Sequence, residues 1–141
     1  MLRATIVPTL RLWLKEHGQG LVAAYLFGSV ARDQERADSD VDIGVVLGRR
    51  QGPTVEDLDH LAAMQQSLGD LLQREVDLVP LDGTSPDLRH HVLVDRVLLL
   101  DGDHDARVAF EVQAHNEYTD HEPFLRAYRN AVLRRARAPR T

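Results

Sequence analysis

The sequence contains no cysteine, which excludes disulfide frameworks, thiolate zinc sites and cysteine nucleophiles and is neutral about the redox compartment. No window approaches the roughly 18 uninterrupted apolar residues of a membrane-spanning helix. The opening residues Met1-Leu-Arg-Ala-Thr carry no basic region followed by a long apolar run and a small-residue cleavage site. The expectation is a protein neither exported nor membrane-spanning, placed in the cytoplasm. Basic charge is also short: 17 Lys plus Arg against 22 Asp plus Glu leave a net charge of −5. Generic electrostatic capture of a nucleic acid backbone is therefore disfavoured, and no direct nucleic acid binding is expected. Internal repeats, low-complexity tracts and linkers are absent.

What is present suffices for one domain. At 141 residues with 43% hydrophobic side chains, the chain buries roughly 68–70% of the surface it exposes unfolded and supports one continuous core. The charge is distributed unevenly. Residues 123–141 hold six Arg and no acid, so 17 − 6 = 11 basic side chains face 22 acidic ones over the first 122 residues. The body is acidic and the tail basic.

Ile6, Leu10, Trp13 and Leu14 recur at helical spacing, which predicts a helix over 3–16, stopped by the Gly-containing run at 17–20. The apolar run 21–27 ends at Gly28-Ser29 and suits a strand buried on both faces. A second strand is predicted over 41–47. Thr54 followed by Asp57 resembles a capping box, opening a long helix over about 55–74 with Leu58, Leu61, Leu68 and Leu72 on its apolar face. Residues 75–81 alternate polar and aliphatic and form a third strand. Ser85-Pro86 opens a shorter helix, with Ser as N-cap and Pro at the first position. A fourth strand is predicted over 97–100, then helices over 104–119 and 124–138. The pattern is one α/β or α+β sheet surrounded by helices.

The chemistry concentrates between residues 26 and 46. Gly28, lacking a Cβ, and the short hydroxyl of Ser29 let the backbone approach an anion, and N–H groups turning into a helix form a nest for phosphate. An ordinary turn is the bland alternative. Ten residues separate Ser29 from Asp40, which is followed by Asp42; these two carboxylates project from one face because strand side chains alternate. Such a pair repels itself unless a cation sits between its members; a solvated strand end is the alternative for an isolated pair. Asp77, between Val76 and Leu78 on the next strand, adds a third carboxylate that strand pairing can bring alongside. Three convergent acids on an aliphatic sheet point to two divalent ions about 3.5–4 Å apart and to phosphoryl or nucleotidyl transfer. An all-oxygen donor set favours magnesium, with manganese as a substitute.

Gly28-Ser29, Asp40-x-Asp42 and a later strand acid resemble the signature of the DNA polymerase β-type nucleotidyltransferase superfamily. With Arg32, Arg36 and Asp38-Ser39 the string looks like the minimal nucleotidyltransferase branch, in which lie the MntA-type antitoxins encoded beside HEPN ribonuclease toxins. The likeness weakens over the C-terminal helices, where Phe110-Glu111 and Tyr118-x-Asp120-x-x-Pro123-Phe124 are similar to the family's tail. Asp33 stands where the family often has Gly, and Asp tolerates the left-handed conformation better than most residues. The resemblance implies a single α+β domain over 1–141: a core of about 1–100 with a mixed sheet of about four strands, and a helical partner-binding segment of about 103–141. It further implies that Gly28 and Ser29 hold the β- and γ-phosphates of ATP and that Asp40 and Asp42 bind two Mg2+ ions. Asp77 would complete the second metal and accept the proton of the attacking hydroxyl. Arg32 and Arg36 are candidates for phosphate binding, against the alternative of solvated loop arginines.

Other features are weaker. The pairs His90-His91 and His115 with His121 lack zinc-site spacing. Asp101, Asp103 and Asp105 lack the glycine and glutamate of a calcium loop and read as a turn before a helix N-terminus. In the tail, Phe124, Leu125, Tyr128 and Val132 interleave an apolar stripe with Arg, which suits a partner surface as well as a solvated helix end. Three functions stay open: adenylylation of a tyrosine on the cognate HEPN toxin, neutralisation of that toxin by binding alone, and nucleotidyl transfer to a small molecule such as an aminoglycoside.

Overall fold

The computed structural model describes residues 2–118; the expected helix over 124–138 and the Arg-rich tail lie outside the described residues. The first helix, α1, spans Leu2–His17 and buries Ile6, Val7, Leu10 and Leu14, the stripe that its spacing predicts. Trp13 is half-buried and stacks on His17 with ring centroids 4.4 Å apart. Strand β1, Ala23–Phe27, is buried at every position but the last. The four-residue helix α2, Gly28–Ala31, follows without a break; a single turn is too short to show a period, so the sequence pattern did not reveal it.

Strand β2 is Val41–Val46 and helix α3 is Val55–Leu72. The capping box forms in full: Thr54 Oγ1 accepts from the Asp57 N–H at 3.1 Å and Asp57 Oδ2 accepts from the Thr54 N–H at 3.0 Å. Leu61, Met64 and Leu68 are buried, whereas Leu58, expected on the same face, is 47% exposed. The helix stops at Leu72 because Gln73 turns left-handed, with φ 53°. Strand β3 is Val76–Pro80. Helix α4, Pro86–Asp95, is capped by Ser85, which accepts from the Leu88 N–H at 3.2 Å. Strand β4 is Val97–Asp101, and residues 104–118 form a further helix, α5.

The four strands make one mixed sheet in the order β3-β2-β1-β4. β1 runs antiparallel to both β2 and β4, while β2 and β3 are parallel, as the intervening α3 crossover requires. Ala24, Leu26, Val41, Ile43, Val76 and Leu78 pack with α1 and α3 on one face. On the other, Ala23, Tyr25 and Val46 pack with Val92 and Leu93 of α4 and Ala114 of α5. β1 is thus covered on both sides, and its wholly apolar sequence follows from that. These strand directions put the end of β1 and the starts of β2 and β3 at one edge of the sheet. Among the described residues no helix is long and apolar enough to cross a membrane.

Candidate active site

The site grows from the point where β1 leaves the sheet. Phe27 lies opposite Asp42 in the β1–β2 register, and the next residue, Gly28, adopts φ 80° as α2 begins. That conformation favours glycine, and a Cβ there would press on the Asp42 carboxylate unless that side chain moved, so backbone and space both disfavour a side chain. No side chain caps α2. Beyond the turn, Asp33 occupies the left-handed region at φ 55°, a conformation that Asp tolerates better than most residues. Gln34 N–H returns to the Ser29 carbonyl at 2.8 Å, and the Val41 N–H joins the Glu75 carbonyl at 2.9 Å. Further along the loop, Arg74 donates to the Ser39 carbonyl at 3.0 Å. The loop from Arg32 to Asp40 is therefore tied at both ends.

The parallel register pairs Asp42 with Asp77, so both lie on the sheet face that Phe27 shares. Asp40 sits just before β2 and is exposed, as is Asp77, whereas Asp42 is half-buried. Burial first, then the charges of Asp77 and Asp40, push the Asp42 carboxyl above its ordinary pKa, and Arg32 opposes them. Among the described residues no three acidic or histidine side chains gather tightly enough to form a metal cage. The fold brings the carboxylates to one edge, and their mutual repulsion disfavours closer approach. This oxygen-only set, repelling itself across a strand pair, fits a hard divalent cation.

Arg32, directly after α2, pairs with Asp95 at the end of α4, Nη1 to Oδ2 at 2.6 Å. Arg36 is exposed; its backbone N–H donates to Ser39 Oγ at 2.7 Å, and among the described residues its side chain makes no ion pair or hydrogen bond. Of the two candidate arginines, only Arg32 acts on Asp42.

Residues 10–105 match the family described as polymerase beta, nucleotidyltransferase. This chain belongs to that family. A Methanocaldococcus jannaschii relative, named as a candidate protein adenylyltransferase, is 33% identical over 81 residues, covering 57% of this chain and 82% of the relative. The fold is similar to that of a toxin–antitoxin crystal structure with AMP-PNP, at 25% identity and TM-score 0.69, over 94% of this chain and 98% of that one. It is also similar to a candidate minimal nucleotidyltransferase of solved structure, at 35% identity and TM-score 0.51, over 68% and 90% of the two chains.

Elsewhere in this nucleotidyltransferase, the aspartates at the end of β4 and just beyond it behave as the turn and helix start that the sequence suggests. Asp103 Oδ1 accepts the Ala106 N–H at 3.1 Å, and Asp101 pairs with His104 at 2.9 Å and Arg107 at 3.0 Å. His90 stacks on Tyr118, centroids 3.5 Å apart. A cavity of about 320 Å³ opens at the opposite end of β2, lined by Val46, Gly48, Asp82, Arg89 and Phe110; it contains none of the carboxylates discussed above. The contact at the site that the sequence did not announce is that of Arg32 with Asp95. Asp95 is an ordinary helix-end acid in the sequence, and its partner lies 63 positions away.

Proposed function

We propose that this nucleotidyltransferase is an antitoxin, acting in the cytoplasm, that transfers AMP from ATP to a tyrosine hydroxyl of a cognate HEPN ribonuclease toxin. The observation that carries the reading is the Asp42–Asp77 register pair beside Gly28: a carboxylate edge adjoining a backbone turn with no side chain in the way. Family membership supports nucleotidyl transfer. The likeness to a toxin–antitoxin pair crystallised with AMP-PNP supports ATP as donor and a toxin as partner.

In this mechanism Gly28 and Ser29 receive the β- and γ-phosphates through the backbone at the start of α2. Asp40, Asp42 and Asp77 would hold two Mg2+ ions. Bound there, Mg2+ would supply Lewis-acid stabilisation of the attacking oxygen and of the triphosphate charge. Asp77 accepts the proton of the tyrosine hydroxyl. A bond forms from the tyrosine oxygen to the α-phosphorus, the α–β bridging bond breaks, and pyrophosphate leaves with its negative charge met by Arg32. Arg36 serves the same phosphates from farther along the loop. The segment over about 103–141 supplies the toxin-binding surface.

Intact-mass spectrometry of the toxin after incubation with this protein, ATP and Mg2+, beside an Asp42→Ala control, tests the reading. AMP increments are expected with the unaltered protein only. A stable complex that silences the ribonuclease without any increment replaces it with neutralisation by binding. Neither increment nor complex turns attention to small-molecule acceptors.

A further inference from the structure

Arg32 follows Gly28 by one turn and donates its backbone N–H to the Gly28 carbonyl at 3.2 Å, so its position is coupled to the turn that forms the site. Its guanidinium is held from two sides: Nη1 donates to Asp95 Oδ2 at 2.6 Å and Nε donates to Gln34 Oε1 at 3.2 Å. A guanidinium is a rigid planar fork. Two bonds to different atoms therefore fix its plane, and among the described residues Nη2 makes no hydrogen bond. The pair is rooted at one end and open at the other, since the Asp95 side chain is 12% exposed and that of Arg32 39%. Arg32 favours the ionised form of Asp42, so its charge reaches the carboxylate edge although its ion pair is with Asp95. Such a half-exposed pair adds little to stability. Its evident consequence is to give a mobile cation one orientation.

We propose that Asp95 is a positioning residue which, with Gln34, aims Arg32 so that Nη2 meets the non-bridging oxygens of the triphosphate's β,γ end, the part that leaves as pyrophosphate. This inference rests on the nucleotidyl-transfer reading above. Arg–phosphate bonds are strong where the fork is oriented in advance, because less side-chain freedom is lost on binding. The role belongs to Asp95 acting through Arg32, and no contact of its own with substrate is implied.

Calorimetric titration of ATP, pyrophosphate and AMP in Mg2+ onto the unaltered protein and Asp95→Ala, with thermal melts alongside, tests the assignment. Asp95→Ala is expected to weaken ATP and pyrophosphate about tenfold, the effect of one charge-assisted hydrogen bond, and to leave AMP affinity unchanged. Asp95→Glu should restore part of the loss. Arg32→Ala should show the same selectivity, and the double variant should lose no more than Arg32→Ala alone. Equal weakening of all three ligands, additive losses, or unaltered binding by a folded Asp95→Ala each overturns the positioning role and leaves the transferase reading intact. If the unaltered protein binds neither ATP nor pyrophosphate, the transferase reading fails first. Should the alanine variant not fold, Asp95→Asn carries the same comparison, with a smaller selective loss expected.

Discussion

In the proposed mechanism Asp42 serves transfer at the expense of the fold. Its carboxyl is half-buried beside Asp77 and Asp40, and burial followed by those two charges raises its pKa. A raised carboxyl binds protons more tightly folded than unfolded, so stability falls as the pH climbs through that window and stays lower at neutrality. Asp42→Asn is therefore expected to melt at a higher temperature than the unaltered protein at pH 7 while losing transfer. Mg2+ with ATP should raise the midpoint of the unaltered protein and leave that of the variant where it was. Differential scanning calorimetry reads both effects, and a variant that melts lower at neutral pH refutes the argument. The pairing of Gly28 with Asp42 belongs to the same scale, because the missing Cβ is the space the carboxylate fills.

At the scale of elements, most boundaries follow from side chains next to the backbone groups they satisfy. Thr54 with Asp57 and Ser85 with Pro86 were legible because capping acts across three residues. The end of α3 was not, since the left-handed Gln73 has no glycine to announce it. Thr54→Ala should cost about 1 kcal/mol in urea denaturation at pH 7, the usual loss of an N-cap. The same box gives an acid limb. The Asp57 carboxyl is lowered to about 2, first by the hydrogen bond from Arg49 and then by the Thr54 N–H. A lowered carboxyl stabilises above its ordinary pKa, so that contribution is whole above about pH 4 and fades as the pH falls towards 2. Arg49→Ala should flatten this limb in melts between pH 2 and 5; an unchanged limb places the acid sensitivity elsewhere.

Across the whole molecule, α5 is fastened to the sheet by polar contacts as well as by its apolar face. Tyr25, fully buried on β1, donates its hydroxyl to Glu111 at 3.0 Å, and Glu111 also meets Arg96 at 3.2 Å and pairs with Arg107. Burial, reinforced by Glu111, raises the tyrosine pKa, so the hydroxyl remains a donor at neutral pH. Tyr25→Phe should destabilise the protein by about 1 kcal/mol, because Glu111 keeps both arginines and is not stranded. ATP binding at the proposed carboxylate site, one same-face position along the sheet, should be unaffected because the hydroxyl is directed to Glu111 of α5. Denaturation and calorimetry on one preparation separate the two; a loss of ATP binding in the folded variant would show that α5 and the carboxylate edge are coupled.

Features local to the chain are legible in its residues: the helical stripe of α1, the doubly buried β1, the capped starts of α3 and α4, and the spacing of Gly28, Ser29, Asp40 and Asp42. Each is encoded within one or two turns or along one strand, where periodicity and backbone hydrogen bonding act directly. That Asp77 stands opposite Asp42 and that Asp95 pairs with Arg32 emerges from packing between distant segments. Parallel register depends on how the apolar sets of β2, α3 and β3 pack together, and a slip of one residue would turn Asp77 to the opposite face. The Arg32–Asp95 pair likewise exists because α2 and α4 meet over the same end of the sheet, a meeting that burial arranges and that no short stretch of sequence records.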